Sequence, residues 1–128
     1  LADRERVLKS NHPDILASRN DLASTYESAG RLDQAITLYE QNLTEALRVL
    51  GLDHPNTLTS RNNLAHAYRA AGRLDEAIDL YEQNLAEALR ILGPDHPNTR
   101  LFRNNLAAAY LAVELDYSEH DGHEPAEG

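Results

Sequence analysis

The chain has 128 residues, 12 Lys and Arg against 21 Asp and Glu for a net charge of −9, and no Cys, Met or Trp. This length holds one domain with a modest core, and the lack of Cys excludes a disulfide scaffold, a thiolate metal site and a cysteine nucleophile. The acidic balance argues against nucleic acid as a partner, since phosphate-backbone binding needs a basic surface. Leu and Ala together supply 39 residues while Val and Ile supply 7, which favours helices over strands and predicts an all-α protein. The longest apolar run, Leu106 to Val113, is far short of the roughly 18 to 20 residues needed to cross a bilayer. The start of the chain has no charged-then-apolar signal pattern. The sequence therefore predicts a soluble, cytoplasmic protein without a membrane partner.

In chain order, residues 1–9 are predicted to be the second half of a helix. Leu1 to Leu8 aligns with Leu43 to Leu50, and the chain, which opens without Met, reads as part of a longer array. His-Pro pairs at His12-Pro13, His54-Pro55 and His96-Pro97 recur every 42 residues, and residues 12–53 and 54–95 agree at 29 of 42 positions without a gap. Such a period is the mark of a repeat architecture. Each unit predicts two helices, here called A and B. Pro55 fits the first turn of a helix and Gly72 a left-handed stop, placing helix A of the second unit at 55–71. Leu58, Arg61, Leu64, Ala65, Tyr68 and Ala71 share its inner face, with Thr59, Asn62, Asn63, His66, Arg69 and Ala70 opposite. Leu74, Ala77, Ile78, Tyr81, Leu85, Ala88, Leu89 and Leu92 then keep helical spacing to Gly93-Pro94, placing helix B at 74–92. The equivalent helices are 13–29, 32–50 and 97–115. The short A to B connection makes each pair antiparallel, and neither helix can bury its apolar stripe except against the other and the next pair. Tyr26, Tyr68 and Tyr110 are expected to be buried between helices. The organisation is thus a half helix B (1–11), two repeats (12–53 and 54–95), a half repeat (96–115) and an acidic tail (116–128). Six acids and no Lys or Arg after residue 113 predict that the tail is disordered and the natural end of the protein.

Asp53-His54-Pro55 at the junction, Asn62-Asn63-Leu64-Ala65 and Tyr68 on helix A, and Gly72, Ala77 and Tyr81 around the turn resemble the tetratricopeptide repeat in its 42-residue form, as found in kinesin light chains and in arrays of bacterial signalling ATPases. The resemblance covers residues 1–115. It implies a right-handed superhelix of stacked antiparallel helix pairs, non-catalytic, with the A helices lining a concave groove that binds an extended peptide or partner helix. It implies also that the chain is the C-terminal recognition part of a larger regulatory protein. Arg61 stands where the shorter form of the family has a bulky aromatic, and Asn42 and Asn84 where it has a small apolar residue.

Carried over by position, the groove is lined by Ala17, Asn20, Ser24, Glu27 and Ser28; by Thr59, Asn62, His66, Arg69 and Ala70; and by Leu101, Asn104, Ala108, Leu111 and Ala112. Asn20, Asn62 and Asn104 form a ladder of amides, each with two donors and an acceptor. The preferred reading is that this ladder pairs with the backbone of an extended chain; the alternative is that it bonds neighbouring helices. Helix A at 55–71 holds Arg61 and Arg69 and no acid, and 97–113 holds Arg100 and Arg103 and no acid, whereas 74–92 has five acids against Arg90. A groove more positive than the back favours an acidic or C-terminal carboxylate ligand, although Arg61 and Arg103 lie near the apolar arc and are expected to be sequestered by helix B carboxylates. The Lys and Asn that clamp a terminal carboxylate in chaperone-binding relatives are replaced by Asn20/Ser24, Asn62/His66 and Asn104/Ala108, so chaperone tails are not expected.

Catalysis, cofactors and metals are not expected. His12, His54 and His96 stand a whole repeat apart at helix starts, a spacing that suits backbone capping rather than metal ligation. Ser24 and His66 occupy equivalent positions, but no carboxylate is evidently placed to orient the imidazole, and there is no phosphate-binding Gly loop. A second function is self-assembly through the terminal helices, with Leu101, Phe102, Leu106 and Leu111 as contact residues of a homodimer.

Overall fold

The computed structural model describes residues 12–123, and side chains within residues 15–115. Five helices follow one another: α1 (His12–Ser28), α2 (Leu32–Val49), α3 (Pro55–Ala70), α4 (Leu74–Leu92) and α5 (Pro97–His123). No strand occurs among the described residues. Each helix packs on the next in the chain, the arrangement expected of stacked antiparallel pairs. The first four helices have the predicted bounds to within about a residue. The half helix expected at residues 1–9 lies outside the described residues.

Helix boundaries follow from local chemistry. His54 caps α3, its Nδ1 accepting from the Asn56 N–H at 3.0 Å, with Pro55 behind it, and His96 repeats this on Asn98 at 3.0 Å. The junction histidines therefore satisfy amides that a helix start leaves without partners. At the other end of α3, Gly72 takes φ 80°, a conformation that costs a residue with a Cβ. This lets Arg73 N–H reach Tyr68 O at 2.8 Å and Gly72 N–H reach Arg69 O at 3.0 Å, the pair of bonds of a Schellman stop. Arg73 then folds over the Tyr68 ring, 4.4 Å from its centroid, and pairs with Glu76 at 2.7 Å.

The last helix departs from expectation. It runs to His123, eight residues past the predicted end, so residues 116–123 are helical rather than disordered. No Gly or Pro interrupts the chain between Pro97 and Gly122, so nothing in the backbone requires a stop at 115.

The core has two parts. One joins Ala23, Ala35, Ile36, Tyr39, Leu64, Ala65, Ala67, Tyr68, Ala77, Tyr81 and Ala109; the other joins Leu58, Ala88 and Phe102, with Leu85, Ile91 and Leu92 beside them. Tyr68 is buried as expected, Tyr26 is only half-buried, and Tyr110 is 44% exposed. The difference is position in the stack. Tyr68 has neighbouring helices on both sides, with its hydroxyl on Glu40 at 2.6 Å. Tyr110 reaches back to Glu82 but has no following helix among the described residues.

Candidate functional site

The A helices α1, α3 and α5 are joined by side chains of their polar faces. Asn63 Nδ2 donates to Asn20 Oδ1 at 2.6 Å, and Asn105 Nδ2 donates to Asn62 Oδ1 at 2.9 Å. Two rungs of the expected ladder are thus bonded across the repeat interface, which corrects the preference for the peptide-pairing reading. Their carbonyl oxygens each hold a neighbouring helix. Asn104 is exposed and forms no such bond among the described residues.

The buried arginine and asparagine are explained by each other. Asn84, fully buried, donates to Leu58 O at 2.8 Å and accepts from Arg61 Nη1 at 3.4 Å; Asn42 does the same for Leu16 O and Arg19, at 2.8 and 3.4 Å. This bridge from helix A to helix B fills the place that an aromatic and a small apolar residue would otherwise share. Burial lowers the Arg61 pKa, and the Glu87 carboxylate opposes the shift. Arg61 is sequestered as expected, by an amide with a carboxylate nearby. Arg103 is not: it is exposed.

Between the first and second units the groove holds a polar cluster. His66 Nδ1 lies 2.8 Å from Glu27 Oε2, and Glu27 Oε1 accepts from the Tyr39 hydroxyl at 3.1 Å. Burial pushes the Tyr39 pKa up to about 12, aided by the Glu27 carboxylate, while nearby Ser24 works in the opposite direction. A carboxylate therefore does orient His66, contrary to expectation. It comes from the preceding helix A, three residues after the position equivalent to His66, where adjacent A helices meet. Ser24, the hydroxyl in register with His66, is exposed, and the imidazole lies on Glu27 instead.

One turn beyond His66, half-buried Arg69 lies beside the hydroxyl of Tyr81. Burial raises the Tyr81 pKa, and Arg69 counters the rise. The Tyr81 hydroxyl is fully buried and makes no hydrogen bond, an arrangement that costs about 1 to 3 kcal/mol. Arg69 forms no ion pair among the described residues, whereas Arg48, Arg73 and Arg90 each hold a carboxylate.

The Asn20–Asn63 rung also borders a cleft at the first repeat interface, lined by Leu16, Ala17, Asn20, Asn42, Asn56, Thr59, Ser60 and Asn63. At the position of Ser60, the next unit has Phe102, which fills the space with core. Phe102 is 2% exposed and Leu106 half-buried, so neither is presented as the self-association reading requires. Their side chains are taken up by packing within the chain. Leu101 and Leu111 are 48% and 55% exposed, and Ala108 is half-buried.

Among the described residues no three His, Cys, Asp or Glu gather as a metal site, and no helix is long and apolar enough to cross a membrane. The tetratricopeptide repeat profile matches residues 14–86 and 61–116. The crystal structure of a Podosopora anserina protein described as a kinesin light chain with nearly identical TPR-like repeats superposes with a TM-score of 0.75 at 36% identity, covering 81% of this chain and 49% of that one; a variant of that protein with a single substitution gives the same values. BtubC (BKLC) from P. vanneervenii superposes with a TM-score of 0.70 at 24% identity, covering 77% of this chain and 39% of its own, a likeness of fold. The chain thus spans half or less of the length of these solved relatives. No curated protein matches it. With the 42-residue period, the stacked helix pairs and the match over most of its length, the chain belongs to the tetratricopeptide repeat family.

Proposed function

We propose that the chain is a non-catalytic scaffold that binds an extended peptide or partner helix along α1, α3 and α5, as the recognition part of a larger cytoplasmic regulatory protein. Tetratricopeptide repeats mediate protein–protein contacts. The observation that carries the groove reading is the polar cluster at the first repeat interface: His66 is exposed, Arg69 has no ion pair among the described residues, and the cleft beside Asn20 and Asn63 is unfilled. A peptide laid there meets donors in excess of acceptors. The amide N–H groups of Asn20 and Asn62 remain for it, since the bonds to Asn63 and Asn105 use only the carbonyl oxygens.

The test is to select binders from a random heptapeptide library and follow backbone amide shifts as a selected peptide is titrated. Changes along α1 and α3 are expected, centred on Asn62, His66 and Arg69. Changes confined to α2 and α4 would place the site on the convex side and refute the groove. A second reading, self-assembly through the last helix, is favoured by the exposure of Leu111 and Leu115, one turn apart on α5, because adjoining exposed apolar side chains mark a contact surface. Light scattering that shows a mass of 14.3 kDa at every concentration would exclude it. A dimer that dissociates on Leu111→Glu would support it.

A further inference from the structure

We propose that Arg69 and the Tyr81 hydroxyl form a subsite for the carboxylate of an acidic side chain in an extended peptide; this rests on the groove reading above and gives it a point of specificity.

The inference comes from comparing the two complete units in register. Tyr39 and Tyr81 occupy the same position of α2 and α4, and Glu27 and Arg69 the same position of α1 and α3. In the first unit the tyrosine hydroxyl donates to the Glu27 carboxylate at 3.1 Å. In the second unit a guanidinium stands where that carboxylate would be, and a guanidinium has only donors. The Tyr81 hydroxyl is left fully buried with no hydrogen bond. Glu27 holds Tyr39 and His66 on its two oxygens and makes no bond to the Tyr81 hydroxyl.

Unit two therefore brings together a phenol donor and a cation with no ion pair among the described residues, where unit one brings together a phenol donor and an anion. An incoming carboxylate supplies the missing acceptor and receives a charge-assisted bond from Arg69. Because the Tyr81 oxygen is closed to solvent, the carboxylate reaches it as the long Arg69 side chain turns toward the groove, bringing its charge with it. His66, held on Glu27, keeps that carboxylate engaged on its other side.

Selection from a random heptapeptide library displayed on phage, where the peptide has no free C-terminus, tests this with the full chain and with Arg69→Gln and Tyr81→Phe. The wild type is expected to enrich Asp or Glu at one fixed position, Arg69→Gln to lose that preference and Tyr81→Phe to weaken it, both keeping the rest of the selected pattern. For a selected peptide made with an amidated C-terminus, replacing the acid by its amide is expected to weaken wild-type binding about tenfold, or roughly 1.4 kcal/mol, to weaken binding to Tyr81→Phe less, and to leave binding to Arg69→Gln unchanged. The Tyr81 ring carbon that bears the hydroxyl should shift on binding the acidic peptide and not its amide counterpart. Selected peptides without an acidic position, or an acidic preference that survives in both variants, would overturn the subsite and leave the groove standing. No enrichment with any of the three proteins would overturn both.

Discussion

Asn84→Ala tests whether the bridge between Arg61, Asn84 and Leu58 holds the second unit together. The substitution removes the 2.8 Å bond to Leu58 O and the 3.4 Å acceptor of Arg61, and opens a small void at a fully buried position. A neutral hydrogen bond contributes about 1 kcal/mol net, and a bond to a charged group about 1.5 to 3. Arg61 is 5% exposed and cannot turn to water without moving the packing around it. With the void included, the expected loss is about 3 to 5 kcal/mol, against the roughly 5 to 15 kcal/mol by which a domain of this size is stable. Asn42→Ala is an internal control: it breaks the same bonds, but Arg19 is only half-buried and can find solvent, so the loss should be smaller. Urea unfolding followed by helical circular dichroism gives the values, and a double-mutant cycle with Arg61→Leu separates the pair from its surroundings. The apolar pair Arg61→Leu with Asn84→Leu should recover much of the loss, because removing both partners of a buried polar pair costs less than orphaning one. The reasoning fails if Asn84→Ala costs less than about 1 kcal/mol, or if the two sites add to within about 0.5 kcal/mol.

Phe102→Ala should cost about 3 to 5 kcal/mol, because Phe102 is packed on Leu58 and Ala88; a variant that unfolds at the wild-type urea concentration would show that its contacts are not part of the core. Ser60→Phe should fill the cleft at the first repeat interface, raise stability by about 1.5 to 3 kcal/mol and weaken binding of any selected peptide; unchanged binding would place the ligand elsewhere. Ultraviolet titration should show Tyr39 and Tyr68 ionising near 12 instead of 10. The fold favours their protonated form, so their contribution to stability is complete below the unfolded value of 10 and is lost as pH rises through about 12. A single transition of all six tyrosines at the ordinary value would contradict this burial.

The repeat made the fold legible. Positions that recur every 42 residues as Leu, Ala, Tyr and Gly named most of the inner faces of α3 and α4, although Leu89 is 40% exposed and fully buried Ala67 was not among them, and His54 and Gly72 marked where α3 begins and ends. What stayed hidden was coupling between helices. Nothing in a periodic pattern says that Arg61 and Asn84, 23 residues apart, form one buried pair; each taken alone looks like a polar residue misplaced on an apolar arc. Tyr110 went astray for a related reason. Periodicity assigns it the surroundings of Tyr68, yet burial depends on having neighbours on both sides of the stack.

The groove was legible as a face but not as a site. Helical spacing put Asn20, Ser24, Glu27, Asn62, His66 and Arg69 on one side, and that side is where the A helices meet. The chemistry lies in the offset between units, however, and a list of equivalent positions conceals it. His66 pairs with Glu27, which is register-equivalent to Arg69 and not to any partner of His66 within its own repeat. Positions that repeat unchanged, such as Asn20 with Asn62 or Tyr39 with Tyr81, bond the stack or fill its core. Positions that change, Ser24 to His66 to Ala108 and Glu27 to Arg69 to Leu111, alter the groove while the helices around them stay the same. The third unit replaces both polar residues with apolar ones, so the face turns from charged to apolar along its length. A ligand matched to that gradient would place its acid over Arg69 and its apolar side chains toward Leu111, which sets the order of its side chains along the groove as well as its composition.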